Sequence, residues 1–145
     1  MSDDASLMKS RVQSIYANAQ LGDLAGAVAL LGNEVTWSLV RPAAEESARG
    51  SAAVLEYLTM VAREAPSDSQ IALERVAVAE DFAFAVHVEA PGGPREHRHV
   101  LVFKFVDGVI VHVWELTLGG PESENGVPIN IYLGGSTAAP SGGGA

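Results

Sequence analysis

Apolar residues recur at helical spacing from Met8 to Leu21, with Val12, Ile15, Tyr16 and Ala19 on one stripe, which predicts an amphipathic helix. Gly22-Asp23 ends it, and Asp23 is placed to cap the helix that follows. That second helix, "LAGAVALL" from Leu24 to Leu31, is stopped by Gly32-Asn33. The period then changes to two. "EVTWSLV", Glu34 to Val40, alternates and is rich in β-formers, so it predicts a strand. Pro42 to Arg49 is polar and predicts a loop. Ser51 to Ala65 predicts a third helix, with Val54, Tyr57, Leu58 and Val61 on one face, broken at Pro66. Four strands follow: Ile71 to Ala79, Phe82 to Ala90, Glu96 to Val106 and Val109 to Leu118. Asp107-Gly108, between the last two, is a strong hairpin signal.

Helices grouped beside an antiparallel sheet indicate an α+β domain. A curved sheet wrapped around helices leaves a concave cavity. Residues 1–118 carry all the patterned elements. Residues 119–133, with "GVPINIYL", suggest a further strand or a flap over the cavity, with Asn130 and Tyr132 in it, and 134–145 has the composition of a flexible tail.

Composition narrows the function. The chain has 145 residues, a net charge of −9 and nine Lys and Arg in total. Nucleic acids are bound largely through cations that neutralise phosphates, so nucleic-acid binding is not expected, nor is binding to anionic membranes. There is no cysteine, which excludes a thiolate metal site and a cysteine nucleophile. The N-terminal segment lacks the layout of a signal peptide, and no apolar run approaches a membrane span. A cytoplasmic protein is the expectation.

Four strings carry a resemblance: "YANAQLGDLAGAVALLGNEVTW", "ARGSAAVLEYL", "DFAFAVHVEAPGG" and "FKFVDGVIVHVWEL". Together they resemble the nuclear transport factor 2-like superfamily, in its SnoaL-like polyketide cyclase and ketosteroid isomerase branch. The last string follows the ending F-x-F-x-x-G-x-I-x-x-x-W-[DE]. The likeness covers Val12 to Leu118. It implies a cone-shaped α+β barrel, with three N-terminal helices packed in a curved, mostly antiparallel sheet. It also implies a homodimer through the outer sheet face, where Val100, Val102, Ile110, His112 and Trp114 would lie. A steroid isomerase of this fold uses a carboxylate base on the first strand, with a tyrosine and a protonated aspartate as oxyanion donors. An ungapped alignment puts Leu39 at the base, Leu101 at the aspartate and Ile15 at the tyrosine, with Tyr16 one residue on. Ketosteroid isomerase chemistry is therefore not expected.

The resemblance turns Phe103 and Phe105 toward the cavity. By strand alternation His97, His99 and Leu101 share that face, as do Val111, Val113, Glu115 and Thr117 on the next strand and Trp37 and Leu39 on the first. A bulge would reverse this parity beyond it. Glu115 is the leading candidate for general acid or base, since an acidic residue ends the family's pattern; the plain alternative is a solvated or Arg-paired glutamate. His99 and His97 are candidates to share its proton or polarise a carbonyl; the plain alternative is a polar strand start. Tyr16, Trp37, Leu39, Tyr57, Leu101, Phe103 and Val113 are the candidate substrate wall. Arg41 and Arg49 flank the expected cavity mouth.

No metal and no other cofactor is expected. The His97-x-His99 spacing matches cupin ligands, but cupins need a glutamate a few residues later, where Val102, Phe103 and Lys104 stand. Glu115 could complete such a set only from the neighbouring strand. The function expected is a cofactor-independent acid–base enzyme of cyclase, isomerase or dehydratase type. Its substrate would be a hydrophobic carbonyl compound such as a polyketide, terpenoid or steroid. The alternative is a non-catalytic ligand-binding or dimeric interaction module of the same fold.

Overall fold

In the computed structural model the described residues are 2–41, 45–65, 70–94 and 96–118. Three helices, α1 (Ser2–Gln20), α2 (Leu24–Val28) and α3 (Ser51–Glu64), accompany six strands. The strands are β1 (Thr36–Val40), β2 (Glu45–Arg49), β3 (Ile71–Ala79), β4 (Phe82–Glu89), β5 (His97–Val106) and β6 (Val109–Leu118). They form one sheet in the order β2-β1-β6-β5-β4-β3. All pairings are antiparallel except β1 with β6. The proposed flap and tail, 119–145, with Asn130 and Tyr132, lie outside the described residues. No helix among the described residues is long and apolar enough to cross a membrane.

The helices end where small and polar residues permit. Asp23 caps α2 by accepting a hydrogen bond from the Gly26 N–H at 2.9 Å. Gly50 opens α3 at φ 92°, a conformation that costs a residue with a Cβ. The apolar stripe of α1, Val12, Ile15 and Tyr16, is buried against the sheet. Ala83 and Ala85 on β4 belong to the same core and are fully covered.

The first helix begins earlier than expected, at Ser2, the second ends earlier, at Val28, and the sheet corrects the sequence reading in two places. Glu45–Arg49 is not a loop but an edge strand, paired antiparallel with β1 from Val40↔Glu45 to Thr36↔Arg49. Its side chains are nearly all exposed, so no apolar alternation marks it. The second correction is in β6. Lys104 pairs with His112 but Phe105 pairs with Ile110, which leaves Val111 as a bulge residue. The parity reverses there. Ile110, expected on the outer face, is fully buried in the helix-covered core, and Val111, expected inside, is exposed. From His112 to Thr117 the expected alternation stands, with Val113 fully buried inside.

The loop after α2 locks onto this bulge. The Gly32 N–H donates to the Ile110 carbonyl at 2.9 Å. A Cβ on Gly32 would stand 2.7 Å from Val109 Cγ1 and 2.8 Å from that carbonyl oxygen. One of these is backbone, so the contact cannot be relieved by a rotamer change alone. Gly32→Ala should therefore lower unfolding stability by about 1–3 kcal/mol, as overpacking does. Urea denaturation would show this as a lower midpoint with an unchanged slope.

Candidate functional site

Strand register brings the polar groups together. Between β4 and β5, His87 lies opposite His99 and Glu89 opposite His97. Between β5 and β6, Leu101 lies opposite Glu115 and His99 opposite Thr117. The parallel pairing then sets β1 beside β6, with Leu39 level with Glu115. Cross-strand partners share a face, so three histidines and two glutamates gather on the inner side of the sheet.

Above them lies a cavity of about 620 Å³, within the range of small-molecule sites. Its walls are largely apolar and come from all three helices, with Tyr16 of α1, Val28 of α2 and Leu58 of α3 among them. The sheet contributes Trp37, His87, Glu89, Leu101 and Glu115. No Lys or Arg is among the described lining residues.

Glu115 sits in this wall with its side chain 17% exposed. Its Oε1 accepts a hydrogen bond from the Trp37 indole N–H at 3.0 Å and one from the Tyr57 hydroxyl at 3.5 Å. Its Oε2 is 3.6 Å from His99 Nδ1. The carboxylate therefore has polar partners within a largely apolar wall. Burial, then the Glu115 charge and hydrogen bond, push the Tyr57 phenol up to about 12, so it remains a donor at neutral pH.

Tyr16 is buried, and its hydroxyl lies 2.6 Å from His87 Nδ1 with the two rings edge to face. Burial, with the negative charges of Glu115 and Glu89, raises the Tyr16 phenol above its usual range. Burial and the neighbouring His99 push His87 down to about 3, against the pull of Glu89, so His87 is neutral. Glu89 is held below the usual carboxylate range by the His99 ring that faces it at 3.6 Å and by the charges of His99, His97 and His87, which outweigh its partial burial.

The remaining predicted residues divide. His99 is buried beneath the lining, stacked on His87 with ring centroids 5.0 Å apart. Neither it nor His97 lines the cavity; His97 Nε2 lies 3.1 Å from Glu89 Oε1. Phe103 and Val113 are fully buried in the core and give the cavity no surface. Leu39 lines a second, smaller cavity of about 100 Å³, together with Trp37 and Tyr57. Tyr16, Trp37, Tyr57 and Leu101 line the main one. Arg41 and Arg49 are exposed. His112 is on the opposite face, bonded through Nε2 to Ser38 Oγ at 2.9 Å and stacked on Trp114.

His87 and Glu89 were not singled out from the sequence. Their signal is present in "AVHVEA", two polar residues at i and i+2 in an apolar strand, on the face of Ala83 and Ala85. The richer polar run that opens β5 draws attention away from it.

Comparison with known proteins agrees with this architecture. No curated protein matches the chain. Among solved structures, a candidate ketosteroid isomerase from Kribbella flavida aligns at 20% identity and a TM-score of 0.67, over 89% of this chain and 93% of that one. An NTF2-like protein of unknown function from Mesorhizobium loti aligns at 22% identity and a TM-score of 0.65, over 79% and 93%. TerC, co-crystallized with polyporic acid, aligns at 15% identity and a TM-score of 0.63, over 74% and 88%. At these identities the likeness concerns the fold. The family model of the SnoaL-like domain matches residues 12–113, and the chain thus belongs to the SnoaL-like branch of the NTF2-like superfamily.

Proposed function

We propose that this protein is an acid–base enzyme acting on a hydrophobic, carbonyl-bearing small molecule, with Glu115 as the proton acceptor. One observation carries the reading: a carboxylate, oriented by the Trp37 indole, lines a largely apolar cavity of substrate size. Glu115 would take a proton from the carbon beside the carbonyl. The electron pair of that C–H bond passes into the C–C bond as the carbonyl oxygen becomes an enolate oxygen. The Tyr57 hydroxyl, bonded only loosely to Glu115, is free to turn toward that oxygen. Return of the proton to the same carbon gives exchange, and its delivery to a conjugated carbon gives isomerisation. Attack of the enolate on a second carbonyl gives cyclisation. TerC, a protein of similar fold, was co-crystallized with polyporic acid, an organic compound, which supports a small organic molecule as the class of ligand.

The test follows proton–deuterium exchange at the α-carbon by NMR, across a panel of hydrophobic ketones and polyketide-like ligands. Wild type should exchange the best ligand, and Glu115→Gln should slow exchange by roughly 10²–10⁴-fold, the usual worth of a positioned base. Ligand affinity should change little, because the amide keeps the shape of the carboxylate. Binding with no exchange in wild type would replace this reading with a ligand-binding module.

A second copy of the chain is our proposed cover for the outer sheet face. Phe82, Phe84 and Trp114 cluster there with ring centroids 6.3 and 6.5 Å apart, each partly exposed. Size-exclusion chromatography with light scattering at micromolar concentration should give the mass of two chains, and Trp114→Arg should give one. A wild-type monomer would contradict it.

A further inference from the structure

We propose that His87, Glu89 and His99 bind a divalent first-row transition-metal ion at the floor of the cavity. Each offers one ligand atom, two ring nitrogens and a carboxylate oxygen, and all three atoms lie within 4.8 Å of one another. Three atoms bound to one ion at about 2.1 Å stand roughly 3.4–3.6 Å from one another, so closing the set needs each atom to move by under about 1 Å.

A second observation is that His99 Nε2 is buried and has no hydrogen-bond partner. It points at Glu89, with Oε2 3.6 Å away, too far for a hydrogen bond. A buried ring nitrogen without a partner, facing a carboxylate, fits an ion between the two.

The far side of each ligand is already held. The Tyr16 hydroxyl takes His87 Nδ1 at 2.6 Å, leaving the other ring nitrogen available. Thr117 Oγ1 lies 3.4 Å and Glu115 Oε2 3.6 Å from His99 Nδ1, which leaves Nε2. His97 Nε2 holds Glu89 Oε1 at 3.1 Å, which leaves Oε2. Metal ligands are oriented in this way by hydrogen bonds from behind. The set differs from the His97, His99 and Glu115 combination weighed from sequence, and His97 becomes a positioning residue.

Charge and chemistry agree. Among the described lining residues there are two carboxylates and no Lys or Arg, so the site favours a cation. Two imidazoles and a carboxylate suit Zn²⁺, Fe²⁺ or Co²⁺ better than Mg²⁺ or Ca²⁺. His87 and Glu89 reach the cavity surface, so the remaining coordination positions face whatever binds there. Such an ion would polarise a substrate carbonyl beside Glu115, whose Oε2 lies 3.6 Å from the His99 ring. Binding of the ion goes beyond the acid–base reading and does not depend on it.

The test uses the full chain, stripped with chelator and without any organic ligand. Titration with Co²⁺, followed by visible absorption, and with Zn²⁺, by calorimetry, should each saturate at one ion per chain. Glu89→Gln and His87→Ala should each weaken Zn²⁺ binding by at least about 100-fold, while His112→Ala on the outer face leaves it unchanged. In ¹⁵N NMR of the wild type, Zn²⁺ should move ring-nitrogen signals of His87 and His99 and not those of His112, a readout that needs no variant to fold. No saturable binding in wild type would overturn the proposal. So would binding that survives Glu89→Gln, or Zn²⁺ shifts confined to His112. None of these outcomes bears on α-carbon exchange, so the two readings fail separately.

Discussion

The bulge at Val111 decides which side of the sheet the polar groups of β6 occupy. A strand sends alternate side chains to opposite faces, so one inserted residue exchanges the faces of everything beyond it. Beside the hairpin turn this lets Ile110 enter the core. From His112 onward it directs Glu115 to the cavity and Trp114 away from it. Without the insertion, Ile110 and Glu115 could not both point inward. The Gly32 loop grips the chain at this point, hydrogen-bonded to Ile110, and so holds the register on which the site depends.

The cavity floor gathers polar groups under low solvation, and most of them are partnered with one another. Glu115 is held by Trp37 and Tyr57, His87 by Tyr16, and Glu89 by His97. Each of these bonds joins different elements of the fold, and the Tyr16–His87 pair spans 71 residues of sequence. Buried polar groups are costly unless paired; strand register satisfies Trp37–Glu115 and His97–Glu89, and the helices must close on the sheet to satisfy Tyr16–His87 and Tyr57–Glu115. Site and fold are specified by the same contacts.

Much of this was legible in the chain, and the parts that were not have physical reasons. The β5–β6 hairpin was readable because a two-residue turn needs both residues at positive φ. Asp107 at 52° and Gly108 at 79° supply that. Asp23 was readable as a cap because a short acceptor before an apolar run has few other uses. β2 was not readable, since an edge strand with exposed side chains has no core-facing rhythm to display. The bulge was not readable because Ile110 and Val111 are alike in hydrophobicity, and only packing chooses between them. Glu115, Trp37 and Tyr57 were named from a family pattern and do meet. The His87–Glu89 pair required knowing which strand lies beside β5, a fact of register that no local string contains.

Both edges of the described sheet face the same hazard. An unpaired strand exposes a row of backbone donors and acceptors that another unfolded or partly folded chain can extend. β2, at one edge, is five residues long and carries Glu45, Glu46 and Arg49. β3, at the other, is interrupted between Leu73 and Arg75, where Glu74 is tied to Arg98 by two bonds of 2.9 Å. Charge guards one edge and an irregularity guards the other, so neither is an easy template for fibrous growth. The polarity that hid β2 from sequence reading is thus also a safeguard for an open sheet at high concentration.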